Sequence, residues 1–555
     1  MNHLTKKILC LCLPAILLSG CSTPFHKEES DGSGYLFTYT LLGNPENLDP
    51  LLATDASSKL ILRNMMQGLL KENPDGTISN AIAEQYTMQD DGLSYTFSLR
   101  DDCYWYFDEN QNEKIDDGET WQVTAYDFVY AFQRMFLAET RSPYREMFSC
   151  LAYANEIMNG TADYMQIGVT AQNETTLTFQ LAEPNSRFPE LLAKTAALPC
   201  NEAFFLKTKG RYGLDATSVI SNGAFYMRKW FYDPYGSDNL IYMQCNSAND
   251  QKEGDRKVYP SDLTFLIRKK QSQAEEAFTS EVSDIFTTTI YPQNEINKPE
   301  EYLVTSYSSI TLGLVFNPNN NLYANQNIRK ALSESIDREN IGKESNGDLT
   351  GASGIIPPDT RVDAVKYRNN VPETALLYDN DTAKQDFQKG LEELQIDSLP
   401  SDKILVCPEL MDCSYLHEIL QNWQHTFEFY IGIEEVTAAE YEERLQSGNY
   451  TIALYGITGS ENNPASVLSS FASDANPFYQ NDAFDALLSQ TMQCNNAAQL
   501  TDFCMQMENL LLADYCFLPV YYKCRYLIYR SENRDIFYDP YSGIIDFQAV
   551  KHFGS

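Results

Sequence analysis

Histidine and positive charge are both scarce in this chain. Its 555 residues include five histidines, and 41 Lys and Arg stand against 77 Asp and Glu, a formal net charge of −36. His3 and His26 fall in the first 34 residues, so a histidine-rich metal site is poorly supplied. The cationic deficit argues against nucleic acid as a partner, because phosphate binding is driven by Lys and Arg. It argues equally against docking of the folded surface on anionic lipid. No Gly-x-Ser-x-Gly occurs, and "GASG" at 351–354 has the wrong spacing for a nucleophile elbow. His417-Glu418 opens like a zinc-protease helix, but Gln421 stands where the second histidine belongs. A phosphate-cradling loop of the Walker type is also missing. No catalytic residue, cofactor or metal ligand is therefore assigned, and a hydrolase without a motif stays open only as an alternative.

Of the 13 cysteines, Cys10 and Cys12 lie in an apolar segment near the start, and no Cys-x-x-Cys is found among the ten beyond residue 100. Several of those ten sit in apolar runs such as "ADYCFLPV", where cysteine behaves as a small hydrophobe. Pairing cannot be read from spacing alone.

An apolar run long enough to cross a bilayer is absent from the start of the chain. Lys6 and Lys7 precede the apolar stretch from Ile8 to Leu18, shorter than the roughly 20 residues a span needs. A cationic start, a short apolar core and small residues before a cut describe a secretory signal. Leu18-Ser19-Gly20-Cys21 resembles the lipobox of bacterial lipoproteins, which makes Cys21 the expected lipid attachment point. Residues 1–20 are then the signal peptide. The polar, glycine-containing segment 21–34 is a flexible tether.

Beyond the tether, 43% hydrophobic and 21% charged residues are ordinary for a globular protein, with material for several cores. Alternation places Leu93, Tyr95, Phe97 and Leu99 on one face of a strand, and likewise Leu177, Phe179 and Leu181, and Leu263, Phe265 and Ile267. Helical spacing joins Ile328, Ala331, Leu332 and Ile336, and again Leu500, Phe503, Met507, Leu510 and Leu511. Helices and strands mix along the whole chain, so the fold class is α/β with more than one lobe. In "DENQNEKIDDGE", residues 108–119, Asp108, Asn110, Asn112, Asp116 and Glu119 fall on calcium-loop positions. Glu113, however, holds the place where that loop needs glycine, which favours an acidic, solvated hairpin tip.

Several segments, read in order, resemble solute-binding protein family 5, the oligopeptide- and dipeptide-binding components of bacterial ABC importers. They are "ENLDPLLATDASSKLILRNMMQGLLKENPDG", "VTAYDFVYAFQRM", "SNGAFYMRKW", "NQNIRKALSESIDRENI", "PFYQNDAFDALLSQ" and "LLADYCFLPVYYKCRYLI". The resemblance is collinear from about residue 35 to 550. It implies a two-lobed, periplasmic-binding-protein-like fold (type II, cluster C-like) with an extra inserted domain and a central ligand cleft. Lobe I is expected in three pieces, 35–78, 196–300 and 513–555, with the inserted domain II at 79–195 and lobe II (domain III) at 301–512. Arg329, Asp337, Asp49-Pro50 and Gly223 are expected to serve packing and turns rather than ligand.

The resemblance further implies an extended oligopeptide held through its main chain, and delivery to the permease subunits of an ABC importer. The chain would be a monomer on the extracytoplasmic side of the cell membrane, bound to that membrane through its lipid anchor only. Ala56 and Ser57 align with the segment skirting the ligand in lobe I, Tyr144 with a domain II tyrosine facing the cleft, and Tyr521 and Tyr522 with residues near the ligand. The family's Gly-Trp-x-x-Asp is replaced here by Gly456-Ile457-Thr458-Gly459-Ser460, followed by Glu461. Either Glu461 supplies the carboxylate that meets the peptide ammonium, or the ligand has no free ammonium. A peptide-sensing receptor and a binder of a non-peptide solute remain the alternatives.

Overall fold

The computed structural model describes residues 31–554 apart from 74–75, 186, 251–256, 345–348, 412, 414, 476–477, 493 and 495. Cys21 and the signal peptide lie outside the described residues. The framework is one sheet of eleven strands. Two long antiparallel strands, Tyr302–Phe316 and Phe517–Arg530, run through its middle. On one side lie Ile285–Thr288, Leu36–Leu41, Asp262–Ile267, Leu240–Cys245 and Phe225–Phe231; on the other lie Ile452–Ile457, Asp402–Val406 and Ile431–Glu435. The short strand Leu349–Gly351 also pairs with Phe517–Arg530. The two halves of the sheet belong to two α/β lobes, and the long strands carry the chain between them.

Packing follows the same division. One hydrophobic cluster gathers residues from Phe37 to Ile285 and again from Leu527 to Val550. Two others are built between Leu312 and Tyr521, with Tyr541 added to one of them. The strands expected from alternation are present as Ser94–Leu99, Thr176–Gln180 and Asp262–Ile267. Their inward residues Phe97, Leu177, Phe179 and Phe265 are completely buried. The first two belong to a separate four-stranded sheet that packs beside the helix Ala125–Phe136.

Buried polar contacts tie this layer to the first lobe. Arg134 of that helix pairs with Asp49 at 2.6 Å while its guanidinium lies 3.8 Å from the centre of the Phe205 ring. The Asp49-Pro50 turn is therefore an electrostatic clamp as well as a bend: Asp49 also accepts the Leu51 N–H at 3.2 Å. Gly223 is required for close approach, since a Cβ there would sit 2.7 Å from the Met65 carbonyl carbon.

One helix expected as continuous is broken. Gln326–Glu334 ends where the Ser335 hydroxyl donates to the Ala331 and Leu332 carbonyls at 3.0 and 2.9 Å. Asp337 then accepts the Asn340 N–H at 3.1 Å near the start of a second helix, Arg338–Glu344. Serine and aspartate compete locally for backbone groups in this way, and the periodicity of Ile336 runs across the break. Arg329 is spent on the carbonyls of Tyr323, Ala324, Asp514 and Tyr515, holding the helix against the end of Ala497–Asp514. The ten cysteines beyond residue 100 form no disulfide with one another, and six of them are buried. Among the described residues, no helix is long and apolar enough to cross a membrane.

Candidate functional site: the seam between the lobes

Three cavities separate the residues expected at the site. The central one is walled by Lys59, Arg63, Tyr144 and Lys194 from the first body and by Ser460, Glu461 and Asn462 from the second. Ala56 and Ser57 border a neighbouring cavity under the strand Leu36–Leu41, together with Thr287. Gly456 borders a third, beside the long strands.

Tyr522 lines none of these. Its side chain is 2% exposed, and its hydroxyl donates to the Gly354 carbonyl and accepts the Gly354 N–H, both at 3.1 Å. Tyr521 is equally buried, with its ring packed on Tyr415. The strand alternation of "LPVYY" says nothing about which side carries the cleft, so sequence could not separate these two from a ligand role.

The turn that presents Glu461 is built by its own side chains. The Ser466 hydroxyl accepts the N–H groups of Ser460 and Glu461 at 3.0 and 3.2 Å. Asn463 caps the helix Pro464–Leu468 by accepting the Ala465 N–H at 2.8 Å. Gly459 is needed for closeness, because a Cβ there would lie 2.7 Å from the Glu461 carbonyl oxygen. The Glu461 carboxylate then reaches across the seam. It meets the Lys194 ammonium at 3.2 Å, and Lys194 also lies 3.7 Å from Glu72.

Lys194 holds the Glu461 carboxyl below the usual glutamate range. Burial opposes the charge on Lys194, but Glu461 and Glu72 outweigh it and hold the ammonium above its ordinary range. Sequence reasoning missed Lys194, although a single cation inside the apolar stretch "ELLAKTAALP" was a visible signal. Nearby, the Tyr144 hydroxyl donates to the Ala53 carbonyl. Burial, then the charges of Glu461 and Asp55, push its phenol up to about 12.

The strand that carries Gly456 has an open edge. Its parallel partner Asp402–Val406 reaches only Ala453, so Leu454 to Ile457 have no strand on that side among the described residues. The Tyr441 hydroxyl takes the Leu454 carbonyl at 2.5 Å. Tyr455 and Gly456 beyond it face the third cavity. An extended chain laid there can pair with the main chain as an added strand.

The loop 108–119 is occupied by its own contacts. Asp108 is buried against Arg228 and accepts the N–H groups of Asn112 and Glu113 at 3.1 and 3.0 Å. Glu119 accepts those of Glu109 and Asp116 at 3.0 and 3.1 Å. Glu113 takes the positive φ of 65° that the missing glycine would have eased. Among the described residues, no group of three or more His, Cys, Asp and Glu side chains is placed to hold a metal ion.

Residues 77–479 match the model of the bacterial extracellular solute-binding proteins, family 5. The chain belongs to this family. This solute-binding protein is 25% identical over 515 residues to the oligopeptide-binding protein OppA of Bacillus subtilis, with 89% of each chain covered. It is 24% identical over 483 residues to the dipeptide-binding protein of Lactococcus lactis, covering 83% of this chain and 82% of that one. Among solved structures, the peptide-binding pheromone receptor PrgZ superposes with a TM-score of 0.68 at 24% identity, over 94% of this chain and 99% of that one. Peptide-bound OppA of Listeria monocytogenes gives 0.66 at 20% identity, over 94% and 100%. The two-lobed architecture is thus that of family 5.

Proposed function

We propose that this solute-binding protein captures oligopeptides in the seam between its lobes and delivers them to an ABC importer from a lipid anchor on the extracytoplasmic face of the membrane. The observation that carries the reading is the open edge of strand Ile452–Ile457 above a cavity in the seam, in a family whose relatives are named for binding oligopeptides and dipeptides. Main-chain pairing tolerates varied side chains, because every peptide offers the same N–H and C=O groups. The partition into lobe I at 35–78, 196–300 and 513–555, domain II at 79–195 and lobe II at 301–512 belongs to this proposal. So do ligand contacts by Ala56, Ser57, Tyr144, Gly456, Ser460 and Glu461. Lobe closure over the peptide follows as a hinge motion of the two long strands.

The test is a thermal-shift screen of the purified protein against random tri- to hexapeptides, sugars, opines and metal chelates. Peptides alone are expected to raise the melting temperature. Stabilisation by another class, with none by peptides, overturns the assignment. Measurable cleavage of the peptides would replace binding by hydrolysis.

A further inference from the structure

The carboxylate expected to meet a peptide ammonium is already met by a cation of the chain itself. In the central cavity the Lys194 ammonium stands 3.2 Å from the Glu461 carboxylate and 3.7 Å from that of Glu72. Among the described residues it is the one cation within ion-pair distance of Glu461. Lys59 and Arg187 act on that carboxylate only from farther away. Arg63, which lines the same cavity, is committed to Asp546 at 3.1 Å and to the Glu72 carbonyl at 2.9 Å.

The backbone under Lys194 is fixed, while its charge sits at the end of a four-carbon stem. The Lys194 N–H donates to the Leu191 carbonyl at 3.2 Å, and the Lys194 carbonyl accepts the Ala197 N–H at 3.0 Å. The three side chains keep about a third of their surface exposed: 30% for Lys194, 38% for Glu72 and 36% for Glu461. A part-exposed group of this kind adds little to stability, so its place in the cavity bears on what the cavity binds. A ligand ammonium reaches Glu461 only by taking the place of Lys194, and Glu72 can keep the displaced cation. The exchange replaces one ion pair by another. Its gain is smaller than that of an ammonium meeting a carboxylate with no partner.

We propose that Lys194 is a specificity-determining residue of the cleft, an internal competitor that occupies the Glu461 carboxylate and so limits the preference for peptides with a free N-terminus over blocked ones. This rests on the peptide reading above, with Glu461 as the contact for the ammonium. Main-chain pairing is left out of the competition. An acetylated peptide keeps the N–H and C=O groups that pair with a strand edge and loses only the charge.

The test is calorimetry with two pools of tri- to hexapeptides lacking Lys, one free at the N-terminus and one N-acetylated. The native protein is expected to favour the free pool about tenfold. In Lys194→Met that preference should rise a further three- to tenfold or so, about the worth of one part-exposed ion pair, through tighter binding of the free pool alone. Lys194→Gln should do the same, and Lys194→Arg, which keeps the charge, should leave the preference at or below the native value. Adding Glu461→Gln to Lys194→Met should abolish it, since the vacated carboxylate is what the ammonium reads. Melting temperatures near the native one are expected throughout, because the ion pair is part-exposed.

A preference unchanged in both Lys194→Met and Lys194→Gln overturns the proposal. Equal weakening of the free and acetylated pools in those variants also overturns it, and would make Lys194 a contact for the peptide itself. If neither pool binds the native protein, the peptide reading fails, which is a different result from peptides that bind without regard to Lys194.

Discussion

Glu461 and Glu508 are both paired carboxylates, and their surroundings predict opposite kinds of consequence. Glu508 is 4% exposed and accepts the Ile355 and Ile356 N–H groups at 2.7 and 3.0 Å, with Arg368 on both oxygens. Glu508→Ala would strand that guanidinium and two N–H groups, so a loss of about 3–5 kcal/mol is expected in denaturant unfolding. A loss below about 1 kcal/mol would mean the network relaxes onto water. The Glu461 side chain, 36% exposed, shares its charge with a half-buried Lys194, so the pair contributes no more than about 1 kcal/mol to stability. Its effect belongs to binding. If the peptide ammonium displaces Lys194 toward Glu72, already 3.7 Å away, Glu461→Gln should weaken free peptides about tenfold and leave N-acetylated ones unchanged. Calorimetry on one peptide in both forms checks this, and identical affinities across both proteins would show that Glu461 does not read the ammonium.

At the scale of elements, the short helix Phe188–Leu192 carries a second acidic contact across the seam. Glu190 pairs with Arg187 at 2.9 Å and faces the Asp363 carboxyl, in the turn between the paired strands Arg361–Val362 and Val365–Lys366. Burial first, then the Asp363 contact, push Glu190 up to about 7, against the opposing pull of Arg187. A raised pKa means the joined seam binds the proton more tightly than the parted one. Its stabilisation is therefore complete below the ordinary value of 4.5 and is lost as pH rises through about 7. Small-angle scattering at pH 5.5 and pH 8 should find the ligand-free protein more closed at the lower pH. Glu190→Gln should remove most of that difference, and a native protein indifferent to pH would refute the shared proton.

For the whole molecule, the proposed anchor predicts a separation between attachment and fold. Cys21 precedes a polar segment and lies ahead of the first strand, Leu36–Leu41. The segment expected as a tether over 21–34 is bound to the fold at its end, where Asp31 pairs with Lys257 and the Gly34 N–H donates to the Tyr259 carbonyl at 2.7 Å. Cys21→Ala, ten residues before those contacts, should release the protein from membranes without moving its melting temperature. Membrane retention after a high-salt wash would place the anchor elsewhere.

Family, lobes and core strands were legible in the sequence, because a half-buried strand or helix writes its inward face into a period of two or 3.6 residues. Phe97, Phe179 and Phe265 are where that period puts them. The turn at Gly459-Ser460-Glu461 follows a local logic too, since serine, asparagine and proline act on their own neighbours. What lies opposite a charge was not legible. Lys194 and Glu461 are 267 residues apart, and Arg134 and Asp49 are 85 apart. Local chemistry fixes which groups a side chain can offer. Only the folding of the two lobes against the long strands decided which charges were matched and which hydroxyls were spent on the backbone.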